Sequence, residues 1–200
     1  MMLRLALEDL LTPERLWSRE ELVGGVRPTP IPKAAGVYAW YFNRVPGGVD
    51  VRGCHVYGDM PMLYTGIAPK RPYADGRRSS TTLHQRVRYH YTGNAEGSTL
   101  RLTLGCLLAG ELGIELRRVG SGSRRTFSEG EKKLSAWMNA NAFVCWTEHP
   151  EPWTLEEQLI SRYDLPLNLD QNKRNAFYVE LSAIRKATKL RASELPILPR

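Results

Sequence analysis

The chain has 200 residues, the size of one ordinary domain that can bury a single sizeable core, which excludes a multi-domain assembly. Apolar residues make up 42% and charged residues 24%, which excludes wholesale disorder and the collagen-like and coiled-coil classes. The formal charge of +7 is unevenly spread: residues 68–128 carry +7, residues 129–169 carry −4 and residues 170–200 carry +4. Two basic blocks around an acidic one raise the local potential, as a surface that tracks a phosphate backbone requires, so nucleic acid is the leading partner.

From the N-terminus, Thr12-Pro13 reads as a cap and first turn of a helix closing at Gly24-Gly25, with Leu16 and Leu22 in its apolar pattern. Val37 to Phe42 and Met62 to Tyr64 are strand candidates, joined by a Gly-rich stretch from Val45 to Pro61 long enough for an extra ribbon. Residues 68–80, with Pro69, Pro72, Gly76 and paired Arg77-Arg78, form a basic loop. Thr81 or Thr82 caps a helix stopping at Gly93, and Ser98 caps another ending near Gly110. Ile114 to Val119 reads as a strand, followed by a Gly-Ser loop. Ser128 with Glu131 and Thr154 with Glu157 have the spacing of capping boxes, on either side of a strand from Ala142 to Thr147. Phe177, Leu181, Ile184 and Thr188 mark one face of a C-terminal helix whose other face carries Arg185, Lys186 and Lys189, and the tail from Pro196 is expected to be loose. Strands and helices without a βαβ period predict an α+β domain.

No apolar run approaches the roughly 18 residues of a membrane span, and Glu8 and Asp9 interrupt the N-terminus where a signal peptide keeps its apolar stretch. The expectation is an intracellular, cytoplasmic protein with no membrane partner. Cys54, Cys106 and Cys145 are odd in number and far apart, fitting neither a disulfide framework nor a zinc clamp, and are expected to be buried or idle thiols.

The sequence contains no GxxxxGK[ST], GxGxxG, HExxH or GxSxG pattern. It does contain, in order, Gly36-Val37-Tyr38, Tyr64-Thr65-Gly66, Arg86 and His90 within a helix, Glu156 followed by Leu159-Ile160, and Pro166-Leu167-Asn168. This ordered set resembles the GIY-YIG nuclease superfamily and spans residues 36–168. The resemblance implies a small central antiparallel sheet flanked by helices, and direct hydrolysis of DNA by water with a divalent metal, leaving a 5′-phosphate. It divides the chain into an N-terminal helical extension (1–30), the nuclease domain (31–170) and a basic C-terminal helix and tail (171–200). Ile67 stands where several repair-type members have lysine, so a cation beside a tyrosine would come from His90, Lys70 or Arg71.

Phosphodiester hydrolysis needs a metal to polarise the phosphoryl group, an activated water, and cations to neutralise the charge that develops on the equatorial oxygens. Glu156 is the expected metal ligand, since Glu157 sits where a capping-box carboxylate reaches back to the cap; a single carboxylate with retained waters suits Mg²⁺ or Mn²⁺. Arg86 and His90 are four apart and share a helix face, so Arg86 is assigned transition-state neutralisation and His90 proton transfer or tyrosine activation. Tyr38 and Tyr64 must point into one cleft, and either can be the base. Asn168 orients Glu156 or a phosphate, or shapes a turn. Lys70, Arg71, Arg101, Arg124 and Arg125 are expected to contact nucleic acid. A non-cleaving binding module on the same scaffold is the alternative. A restriction-type enzyme cutting both strands of a palindrome would be a two-fold homodimer, and a monomer would fit nicking or repair.

Overall fold

The structure, a computed structural model, describes residues 2–24 and 28–199, with side chains from residue 6 onward. Met1, Gly25, Val26, Arg27 and Arg200, which fall within the terminal extensions and the first helix expected above, lie outside the described residues.

The run of β-branched and aromatic residues at Gly36–Phe42 forms β1, and all seven residues are buried. A strand that apolar on both faces belongs in the middle of a sheet. Accordingly β1 lies between β3 (Met60–Ala68) and β6 (Ala142–Glu148), antiparallel to both; the short β2 (Val56–Tyr57) flanks β3 and completes the order β2-β3-β1-β6. Successive side chains of β1 serve different cores. Tyr38, Trp40 and Phe42 join Leu83, Val87 and Tyr91 of α2 (Leu83–Thr92), Leu100 and Leu104 of α3 (Thr99–Leu107), and Leu134 and Met138 of α5 (Gly130–Asn141). Val37, Ala39 and Tyr41 join Leu7 and Leu10 of α1 (Met2–Leu11) and Leu155 and Leu159 of α6 (Pro152–Arg162). The α+β architecture, a small antiparallel sheet between two helical layers, is the one expected.

Two glycines of the tyrosine motifs are required by close approach. A Cβ on Gly36 would overlap the Thr147 carbonyl and Leu83, and one on Gly66 would overlap the Tyr38 ring and hydroxyl. Gly66 stands opposite Tyr38 in the ladder and Tyr64 stands opposite Trp40, so the two motif tyrosines are diagonal neighbours on one sheet face.

Several local expectations are corrected. The first helix lies before Thr12, not after it. Thr12 closes α1, its N–H and hydroxyl both reaching the Glu8 carbonyl, and Pro13 prevents continuation. Trp17 then exchanges backbone hydrogen bonds with Val144, covering the outer edge of β6, and only a π-helical turn remains at Glu20–Gly24. The Gly-Ser loop joins two strands, β4 (Arg117–Val119) and β5 (Arg124–Thr126), the second of which has no apolar alternation to betray it. A further short helix, α4 (Ala109–Leu112), follows α3 and ends at left-handed Gly113. α6 begins three residues earlier than the Thr154 cap implies, because Pro152 fits the first turn; the Thr154 hydroxyl bonds to the Glu151 carbonyl instead. Nor is the tail loose. After α7 (Tyr178–Glu194), Leu198 exchanges backbone hydrogen bonds with the β4–β5 hairpin, and the Arg118 guanidinium donates to the Ala192 and Leu195 carbonyls.

Candidate active site

Tyr38, Tyr64, Arg86, Glu156 and Asn168 come from four separate elements and one loop, and all line one cleft of about 530 Å³. α2 owes its position to a complete capping box, with Thr82 accepting from the Gln85 N–H and Gln85 returning to the Thr82 N–H. It presents Val87 and Leu83 to the core and Arg86 to the cleft, where Nη1 donates to the Gly97 carbonyl at 3.1 Å. The guanidinium faces Tyr38 closely enough to favour its ionised form, in opposition to burial, which pushes the Tyr38 phenol up. Tyr64 is likewise pushed up, by burial and by its proximity to Tyr38 and Glu156.

His90 does not line the cleft. It is fully buried behind Tyr38, with Nε2 at 2.8 Å from Tyr38 Oη and Nδ1 at 2.7 Å from Ser98 Oγ. Its ring sits among Tyr38, Trp40 and Tyr64, and burial holds its pKa well below the ordinary histidine value, so it is neutral.

Glu156 and Ile160, one turn apart on α6, face the cleft, while Leu155 and Leu159 face the core. Burial, then Asp170, then Glu157 push the Glu156 carboxyl up to about 7, and no hydrogen bond from a described residue offsets them. A desolvated carboxylate without donors is relieved by a proton or a cation. Among the described residues there is no group of three or more His, Cys, Asp or Glu placed to hold a metal ion, and Asp170 is the carboxylate of the cleft lining that acts on Glu156. Such a sparse oxygen set fits Mg²⁺ or Mn²⁺ retaining most of its water, and does not fit zinc. Glu157 does not line the cleft and is ion-paired with Arg71.

Asn168 shapes a turn, its N–H bonding to the Leu165 carbonyl at 3.0 Å, and has a further task that was not expected. Its Oδ1 accepts the Thr65 N–H and its Nδ2 donates to the Thr65 carbonyl, both at 2.9 Å, while Leu167 N–H bonds to the Leu63 carbonyl. The amide thus pairs with β3 as a further strand would, and it carries Asp170 to the rim of the cleft. Both of its polar ends are spent on backbone, which makes it a positioning residue.

Among the expected nucleic-acid contacts, Lys70 and Arg71 are exposed and line the cleft. Arg124 is exposed on β5, and the Arg125 N–H bonds to Glu96, joining that hairpin to the rim. Arg101 is corrected. It is fully buried, ion-paired with Glu131 at 2.6 Å, and its guanidinium donates to the His90 and Tyr91 carbonyls. Charge count could not distinguish it from a surface arginine. Arg185 and Asp170 were missed: Arg185 on α7 lies near Tyr64 and favours its ionised form, but nothing in its helical pattern marks it apart from its basic neighbours.

A family profile described as the GIY-YIG catalytic domain matches residues 36–187. That is most of the chain, and the protein belongs to the GIY-YIG nuclease family. The match begins at Gly36 and extends into α7, which brings Arg185 within it. No curated protein and no solved structure matches the chain.

Proposed function

We propose that the protein is a divalent-metal-dependent DNA endonuclease that hydrolyses phosphodiester bonds. The observation that carries this reading is the convergence of Tyr38, Tyr64, Arg86 and Glu156 on one cleft beside exposed Lys70 and Arg71. A Mg²⁺ or Mn²⁺ ion held by Glu156 would supply the polarisation of the phosphoryl group. Tyr38 is the better base of the two tyrosines, because it has both a ring nitrogen at 2.8 Å and the facing Arg86. As phenolate it takes one proton from the attacking water; the resulting hydroxide adds to phosphorus, the P–O3′ bond breaks, and the 3′-oxygen takes a proton from solvent. Arg86 neutralises the charge on the equatorial oxygens, which its forked guanidinium can contact in pairs. Lys70 and Arg71 hold flanking phosphates.

The test is nicking of supercoiled plasmid in low salt with Mg²⁺ or Mn²⁺, beside EDTA and Glu156→Ala. Metal-dependent product lost in both controls is expected. Full activity in Glu156→Ala overturns the reading, and salt-sensitive DNA retention without cleavage on plasmid or branched DNA makes the protein a binding module on the same scaffold. Sedimentation distinguishes a two-fold dimer, as cutting of a palindrome requires, from a nicking monomer.

A further inference from the structure

Behind Tyr38 a buried chain of polar groups leads from the cleft to the start of α3. Tyr38, His90 and Ser98 are all 1% exposed or less. Ser98 is the N-cap of α3, and its Oγ accepts the Arg101 N–H at 3.1 Å. The same oxygen lies 2.7 Å from His90 Nδ1. A hydroxyl has one proton to give, and among the described residues only Nδ1 stands within reach to take it. Were Nδ1 itself protonated, the serine proton would be buried without an acceptor, a defect costing about 1–3 kcal/mol.

We propose that Ser98 is a positioning residue: by donating to Nδ1 it fixes neutral His90 as the Nε2–H tautomer, a hydrogen-bond donor to Tyr38. One serine thereby does two jobs, since the lone pair that caps the helix leaves its proton free for the ring. The consequence for Tyr38 is directional. Its oxygen accepts Nε2–H from the protein side and turns its own O–H to the cleft, so it loses that proton to solvent and not to His90. The resulting phenolate is held between Nε2–H and Arg86. His90 is therefore an activator of Tyr38 and takes no proton from it. Arg101 fixes the frame, tying the carbonyls of His90 and Tyr91 to Glu131 of α5.

This rests on the reading of Tyr38 as the base, and the experiment separates the two. Long-range ¹H–¹⁵N correlation spectra of the metal-free protein report the tautomer of His90, assigned by its loss in His90→Gln. Wild type and Ser98→Thr are expected to show Nε2–H. Ser98→Asp keeps a capping acceptor but has no proton to give, so it is expected to reverse the ring to Nδ1–H and to lower kcat about 100-fold with KM for plasmid nearly unchanged, while Ser98→Thr retains activity. An Nδ1–H ring in wild type overturns the proposal without any variant, and so does a reversed ring in a well-folded Ser98→Asp that cleaves as fast as wild type. An Nε2–H ring in a wild-type protein that cuts no DNA supports the placement of His90 and overturns the nuclease reading instead.

Discussion

Glu156, the proposed metal ligand, sits in an environment that disfavours its charge. Its carboxyl is raised to about 7 from an ordinary 4.5 by burial and by neighbouring carboxylates. The folded state therefore holds a proton that the unfolded chain gives up at lower pH, and metal-free stability falls as pH rises through that window and stays lowered above it. Glu156→Gln removes this cost. In EDTA at pH 8 it is expected to be more stable than wild type, by up to about 3 kcal/mol, while at pH 4.5 the two converge; thermal melts at both values check this. The same variant is expected to be inactive, so that stability and function move in opposite directions. Arg101 gives the contrary case of a charge that is structural. Arg101→Ala leaves Glu131 without its partner and is expected to cost about 3–5 kcal/mol in urea unfolding.

Among the elements, β1 and β3 carry the site because two glycines allow them to. Gly66 leaves open the space that the Tyr38 ring crosses, and its partner Tyr64 is held one diagonal away. Gly66→Ala is expected to cost about 1–3 kcal/mol in stability. It is expected to lower kcat about 100-fold by displacing the Tyr38 hydroxyl, a displacement that also weakens its bond to Nε2. Stopped-assay rates set against melting temperature separate the two effects, and a variant that loses stability alone would place the Tyr38 hydroxyl outside the chemistry. The C-terminal segment acts at the same level. Residues 195–199 fill hydrogen bonds of the β4–β5 hairpin, so their deletion is expected to loosen Arg124 and Arg125 and to raise amide exchange across residues 117–126.

Over the molecule as a whole, the basic charge is divided between surface and interior. Lys70, Arg71 and Arg124 face solvent, whereas Arg101 and Arg118 hold helices and tail. Each exposed cation that meets a phosphate releases a counterion, so replacing Lys70 or Arg124 with Ala is expected to weaken DNA binding and to flatten the log K against log salt slope by about 1. The measurement is fluorescence anisotropy in EDTA, where nothing is cut. Arg101→Met, if it folds, is expected to leave that slope unchanged. His90 adds an acid limit: folded, its pKa lies well below 6.5, so stability is complete above about pH 6.5 and is lost as pH falls below it, when the unfolded chain takes up a proton that the buried ring refuses.

Local signals carried far: the β-branched run at 37–42, the Thr82 and Ser98 caps, and the stop at Gly93 all reside in the residues that form them. The order of Tyr38, Tyr64, Arg86, His90, Glu156 and Asn168 was likewise legible, because motif spacing survives in one dimension. Failures came where a partner far along the chain decides. Thr12 ends a helix because α1 precedes it and the edge of β6 takes the next segment; Asn168 spends its amide on Thr65 because the short β2 leaves that edge of β3 open. Arg101 looks like any other basic residue until Glu131 closes over it. Ser98 is readable as a cap, but its second bond joins two helices, and a hydrogen bond between residues eight apart with a loop between them has no periodicity to announce it. Composition and motif order thus set the family and most of the elements, whereas burial and hydrogen-bond partnership, which need three dimensions, determined which charges meet solvent and which way His90 faces.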